Sequence, residues 1–146
     1  MMRGDLVYLV QTDTTVGFLS KSAENLAAIK RRPVQKPFLR AVARLSYLVE
    51  IGRPPRRFAK EIRRSRGVSY ILPNSQSFRL VTGEHRDFVD RFRWCYSTSA
   101  NLHGEPFDEA FAKDACDVVV ESKDGFHTAK PSDIWRLGKR KKVKIR

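Results

Sequence analysis

Apolar residues along this chain fall in short blocks whose spacing alternates between that of a strand and that of a helix. The continuous apolar run at 6–10 is the pattern of a buried strand, and it ends in the hydroxyl-rich loop Gln11-Thr12-Asp13-Thr14. Ser22 is placed to cap a helix carrying Leu26 and Ile29, with Glu24 near its positive end, and Pro33 requires regular helix to have stopped before it. A strand at 38–42 follows. Pro54-Pro55 opens a helix in which Phe58, Ala59 and Ile62 share one face while Arg56, Arg57, Lys60, Arg63 and Arg64 take much of the rest. Residues 68–72 and 78–81 predict two strands joined through Pro73-Asn74-Ser75 as a hairpin. Phe88, Val89 and Phe92 recur at helical spacing before a strand at 96–98, and Phe107, Ala110 and Phe111 do so before another at 118–120. The chain closes with strands at 134–137 and 143–145 around Gly138 and the cluster Lys139-Arg140-Lys141-Lys142. Strands and helices interleaved over one core predict an α/β domain with a twisted, open, mixed sheet flanked by helices.

Composition narrows this picture. A chain of 146 residues with 41% hydrophobic and 10% aromatic positions can bury one real core, so a single domain over 1–146 is expected. Lys and Arg number 29 against 16 acids, a formal charge of +13, and such a field favours polyanions, nucleic acids and nucleotide phosphates among them. No run of about 18 apolar residues exists and the start has no apolar signal region, so neither membrane nor secretion is expected and the cytoplasm is the expected location. Cys95 and Cys116 are too few and too far apart for a disulfide framework or a four-ligand zinc site, and are expected to be reduced, buried thiols. His85, His103 and His127 lack metal-ligand spacing.

The chemistry concentrates in three short segments. Lys30 and Arg32 would diverge by roughly 200° on an intact helix, so they act on one ligand only if the helix has unwound, which Pro33 favours by pushing Arg32 toward extended backbone. An ammonium beside a planar guanidinium suits a polyphosphate. The same pair also reads as a basic helix C-terminus placed favourably on the dipole. Ser97, Ser99 and Asn101 alternate with Thr98 and Ala100, so extended backbone projects all three from one side, where hydroxyl and amide groups suit phosphates. A Ser/Asn turn closing a strand, completed by Gly104, is the other reading. Thr12 and Thr14 likewise share a side, with Asp13 opposite and placed to order the loop.

Taken in order, Thr12-Asp13-Thr14, Lys30-Arg31-Arg32-Pro33 with Lys36-Pro37, Ser97-Thr98-Ser99-Ala100-Asn101, and Ser132 before a terminal strand resemble the YrdC-like family, the L-threonylcarbamoyladenylate synthases. The resemblance runs through nearly the whole chain, and its most specific part is Lys-x-Arg-Pro combined with the distant Ser-Thr-Ser-Ala-Asn. It implies that family's open twisted α/β sheet with a concave, basic cavity. It also implies a nucleotidyltransferase that joins L-threonine, bicarbonate and ATP into threonylcarbamoyl-AMP, releasing pyrophosphate, for a tRNA modification completed by proteins that transfer the threonylcarbamoyl group. Mg2+ is expected with the ATP. In this frame Lys30 and Arg32 carry the chemistry, and Thr12, Thr14, Lys36, Arg79, Ser97, Ser99, Asn101 and Ser132 bind substrate and nucleotide.

Where family members have proline before the first Thr-Asp and tyrosine shortly after, this chain has Gln11 and Val16. The family's Pro-Gly-Pro before the strand at 68–72 is replaced by Arg64-Ser65-Arg66-Gly67, and the connection from Val42 to Val68 is compressed. The alternative function is a noncatalytic YrdC-like module that binds RNA, double-stranded or ribosomal, through Arg56, Arg57, Lys60, Arg63 and Arg64 and through Lys139, Arg140, Lys141 and Lys142.

Overall fold

A computed structural model describes residues 3–33, 37–102 and 104–146. In chain order the elements are β1 (Tyr8–Gln11), β2 (Val16–Ser20), α1 (Ala23–Lys30), β3 (Leu39–Val42), α2 (Ala59–Arg64), β4 (Val68–Ile71), β5 (Ser77–Leu80), α3 (Gly83–Asp90), β6 (Trp94–Ser99), α4 (Glu109–Ala115), β7 (Val118–Val119), β8 (Asp133–Leu137) and β9 (Lys142–Lys144). Short 3-10 segments at Leu45–Glu50 and Arg56–Phe58 precede α2. Contacts divide the chain into two units, Met1–Phe38 with Cys95–Lys130 and Leu39–Trp94 with Pro131–Arg146.

In the first unit the strand order is β7-β1-β2-β6. β1 and β2 form an antiparallel hairpin with Tyr8 opposite Leu19 and Gln11 opposite Val16. β6 lies antiparallel to β2 with Ser99 opposite Gly17, and β7 joins β1 in parallel. The strand β2 has no counterpart in the sequence pattern, because the connection at 12–15 holds neither glycine nor proline to mark a hairpin. The Thr12 hydroxyl closes that turn instead, donating to the Thr15 carbonyl and accepting from the Thr14 amide at 3.0 Å. Gly17 follows from close packing: a Cβ there would lie 3.0 Å from the Thr12 methyl and 3.1 Å from the Thr98 carbonyl. The core gathers Val7, Leu9, Val16, Phe18 and Leu26, with Phe111 of α4 edge-on to Phe18 at 6.5 Å between ring centres.

The second unit orders its strands β3-β5-β4-β8-β9. β4 and β5 form the expected hairpin, pairing Tyr70 with Phe78, while β3 joins β5 and β8 joins β4 in parallel. Both units are therefore mixed sheets with helices, as the alternating pattern predicts. The helix expected from Pro54-Pro55 begins as the 3-10 turn and becomes α-helical only at Ala59, yet Phe58 and Ile62 are its buried face as anticipated. They pack with Tyr70, Leu72, Phe78 and Leu137. Among the described residues no helix is long and apolar enough to cross a membrane. Cys95 is buried, its thiol pushed up to about 12 by burial, whereas Cys116 is only half-buried, and both are free.

Phe18 is wholly buried. Phe18→Ala is expected to lower unfolding free energy by about 3–5 kcal/mol in urea titrations, because the lost ring leaves a cavity between β2 and α4.

Candidate functional site

Helix α1 begins as its sequence dictates, with the Ser22 hydroxyl accepting the Asn25 amide at 3.1 Å. The break expected at Pro33 is made earlier. Lys30 is the last helical residue, and Arg31 turns left-handed (φ 54°, ψ 46°). The Arg31 amide bonds to the Ala28 carbonyl at 3.3 Å and the Arg32 amide to that of Ala27 at 3.1 Å, the paired bonds of a Schellman turn. A left-handed residue without glycine's freedom costs on the order of 1 kcal/mol, which these two bonds offset. The reversal at Arg31 takes Lys30 and Arg32 off one helical cylinder, so the angular divergence of an intact helix no longer applies.

The Lys30 side chain is 6% exposed. Its Nζ donates to the carbonyl of Ser99 at 2.9 Å and to the carbonyl of Asn101, committing two of the three ammonium protons. Burial, with Arg32 adding repulsion, lowers its pKa to about 8, so the group remains mainly charged at neutral pH. Arg32 donates to the Pro37 carbonyl at 2.8 Å and lays its guanidinium 3.9 Å above the Phe38 ring. Stacking uses the face of the guanidinium, while its N–H groups lie along the edge. Lys36 lies outside the described residues.

β6 supplies the facing segment. Ser97, buried opposite Leu19, and Ser99, exposed opposite Gly17, share a strand face as the alternation predicts. The strand ends at Ser99, so Asn101 does not continue that row. Ala100 turns into the core with its amide on the Val16 carbonyl at 2.9 Å. The Asn101 side-chain amide then donates to the carbonyls of Leu102 at 3.0 Å and Glu105 at 2.6 Å, making it the brace of the loop. On the β1–β2 turn the Thr12 and Thr14 hydroxyls lie 3.2 Å apart, both residues buried. Gln11, one of the departures from the family pattern, accepts the His127 amide at 2.9 Å, and Val16, the other, packs in the core.

Arg79 and Ser132 belong to the second unit. Arg79 is buried on β5 opposite Ser69, whose hydroxyl lies 2.8 Å from that of Ser132. The Ser132 carbonyl accepts Arg146 Nη2 at 2.8 Å. His85 on α3 is also buried, with neither ring nitrogen hydrogen-bonded, and burial plus the charge of Arg79 lowers its pKa to about 3. Sequence reasoning passed over Ser69, and weighed His85 only as a metal ligand. Their signals were a serine inside an apolar strand and a histidine three and four positions before Phe88 and Val89, on their helical face. Among the basic residues proposed for RNA, Arg57 donates to the Arg140 carbonyl and Lys142 pairs with Glu61 at 2.6 Å. Arg56, Lys60, Arg63, Arg64, Lys139, Arg140 and Lys141 are exposed.

No sequence-family profile matches the chain, and no curated protein matches it. Solved structures do. Sua5 of P. abyssi, solved in complex with L-threonine, superposes with a TM-score of 0.80 at 16% identity, covering 97% of this chain and 50% of its own. YciO of E. coli gives 0.76 at 17% identity over 97% of this chain and 82% of its own. The MTH1692 protein of Methanobacterium thermoautotrophicum gives 0.69 at 20% over 98% and 80%. All three have YrdC-like folds, and this chain has the same fold. It spans about half the length of Sua5.

Lys30→Met should cost about 1–3 kcal/mol in urea unfolding, because the carbonyls of Ser99 and Asn101 lose a charged donor. It should also speed hydrogen exchange of the amides at 100–102; unchanged exchange would mean the ammonium does not hold this turn. For His85, the folded-state pKa lies below the ordinary value of 6.5, so between pH 6.5 and about 3 only the unfolded chain takes up the proton. Stability is therefore full above pH 6.5 and is lost on acidification, with a slope approaching about 1.4 kcal/mol per pH unit. Unfolding curves collected from pH 7 to pH 5 should flatten in His85→Leu relative to wild type.

Proposed function

We propose that the chain is a nucleotidyltransferase that forms threonylcarbamoyl-AMP and pyrophosphate from L-threonine, bicarbonate and ATP. The observation that supports it most is the Lys30 ammonium resting on the carbonyls of Ser99 and Asn101, which unites the two most specific segments of the resemblance in a chain of YrdC-like fold. The L-threonine bound in Sua5 agrees with the amino-acid half of this reading.

In this reading threonine's amine captures bicarbonate, directly or as the carbon dioxide it forms; the amine proton and the bicarbonate hydroxyl leave as water, and an oxygen of the resulting carbamate attacks the α-phosphorus of ATP. The bond from that phosphorus to the bridging oxygen breaks, and pyrophosphate leaves with the electron pair. Negative charge gathers on phosphate oxygens, so the need is for fixed positive charge and positioning rather than a strong base. Lys30 and Arg32 supply the charge. The desolvated Lys30 gains from a phosphate the solvation that burial removed, which is how a lowered pKa and anion affinity coexist. Ser97 and Ser99 offer hydroxyls to the nucleotide, Asn101 keeps their loop in place, and Thr14 beside Thr12 offers a hydroxyl to the carbamate. The resemblance assigns Arg79 and Ser132 to substrate binding as well.

Mg2+ enters as the counterion of ATP, held through phosphate oxygens and water. The cationic side chains Lys30 and Arg32 fit the phosphates that carry the ion and not the ion itself. The tRNA modification and the proteins that complete it follow from the same reading.

Pyrophosphate release from ATP, measured with and without threonine and bicarbonate, tests this. Release should require both cosubstrates and fall at least 100-fold in Arg32→Ala, a loss of about 2.7 kcal/mol of transition-state stabilisation. Turnover indifferent to threonine would sink the reading. ATP binding without turnover in wild type would favour the noncatalytic alternative.

A further inference from the structure

The second unit holds a cleft of about 660 Å3 between the end of β3, the end of α2, and the passage from β5 into α3. Five of the twelve residues around it are arginines, Arg44, Arg63, Arg64, Arg66 and Arg86, and no acid lines it. Charge on a protein surface is usually balanced nearby, and elsewhere in this unit it is: Lys142 meets Glu61 and Arg93 meets Glu50. At the cleft Arg44 is paired with Asp90 at 3.0 Å, and that carboxylate also feels Arg86. Among the described residues no carboxylate pairs with Arg63, Arg64 or Arg66, and all three are exposed. Three arginines thus border one concavity with no carboxylate paired to them, so an anion with several charges suits the arrangement.

The floor discriminates among anions. Leu45, Leu80 and Val81 line it together with Ala43, so a third of the lining residues are aliphatic. A simple oligophosphate makes no use of such a floor. A nucleotide unit does, because its base covers apolar surface while its phosphates meet the rim. The volume lies within the range of small-molecule clefts and exceeds what one phosphate fills. The positive end of α3 at Thr82, which also lines the cleft, adds its dipole in the same sense.

We propose that this cleft binds single-stranded RNA, with consecutive phosphates on Arg63, Arg64, Arg66 and Arg86 and an unstacked base against Leu45, Leu80 and Val81. Guanidinium groups grip phosphate oxygens bidentately and also stack on bases, which suits an unpaired strand better than a duplex whose bases are covered. The site shares no residue with the nucleotidyl-transfer site and does not rest on that reading. It also relocates RNA binding: Arg44, Arg66 and Arg86 join Arg63 and Arg64, while Arg57 and Lys142 are engaged within the chain.

The test is fluorescence anisotropy of a labelled oligouridylate of about twelve nucleotides against wild type, Arg63→Ala/Arg66→Ala, and Lys139→Ala/Lys141→Ala, across a range of salt. Both double variants remove the same charge from exposed positions. The cleft variant should bind at least tenfold more weakly near physiological salt, with its log-log salt slope shallower by about 1.4, from about 0.7 per lost phosphate contact on a single strand. The tail variant should stay within about threefold of wild type, a loss below about 0.7 kcal/mol. Equal losses in the two variants would overturn the proposal, since net charge alone would then explain binding. So would binding of a duplex of the same length as tight as that of the strand, or displacement of the strand by tripolyphosphate at matched phosphate concentration. Circular dichroism of both variants, matching wild type, separates lost binding from lost fold.

Discussion

The first unit depends on one ammonium group. Lys30, at the end of α1, donates to carbonyls 69 and 71 residues away, at the end of β6, and so joins two segments that no local propensity would bring together. Hydrogen bonds from a charged donor contribute more than neutral ones, on the order of 1.5–3 kcal/mol, provided the charge is not left bare. Here two carbonyl dipoles replace part of the lost water. The replacement is incomplete: burial, with Arg32 adding repulsion, still lowers the ammonium pKa to about 8.

That arrangement rests on backbone details around it. The left-handed Arg31 ends α1 where Lys30 can reach across, and amide bonds to the Ala27 and Ala28 carbonyls close that end two residues before Pro33. On the other side Ala100 is buried and bonded to Val16, which stops β6 at Ser99 and turns the following carbonyl toward Lys30. Asn101 then braces the loop through Leu102 and Glu105. Short polar residues thus serve here as supports for backbone geometry.

The excess of positive charge divides into populations with different physics. Arg44, Arg93 and Lys142 meet carboxylates and stitch neighbouring elements, with exposed pairs of this kind contributing little each. Arg32 is held by a carbonyl and a ring. Arg63, Arg64 and Arg66 are exposed beside a cleft without a carboxylate partner among the described residues. A formal charge of +13 is the sum of these and says nothing about which of them face a partner.

The sequence by itself determined the alternation of strands and helices, the Ser22 cap, the β4–β5 hairpin and the buried face of α2, because each follows from local spacing and side-chain chemistry. It also brought forward Lys30, Arg32, Ser97, Ser99 and Asn101, since residue type and order are enough to suggest a phosphate site. Tertiary structure decided the rest. The strand β2 was hidden because its hairpin is closed by the Thr12 hydroxyl rather than by glycine or proline, and Asn101 left the expected row because Ala100 had to enter the core. Ser69 meets Ser132, and His85 lies near Arg79, only through the packing of separate elements. Those outcomes depend on which polar groups find partners when distant segments meet, and a periodic pattern carries no information about that.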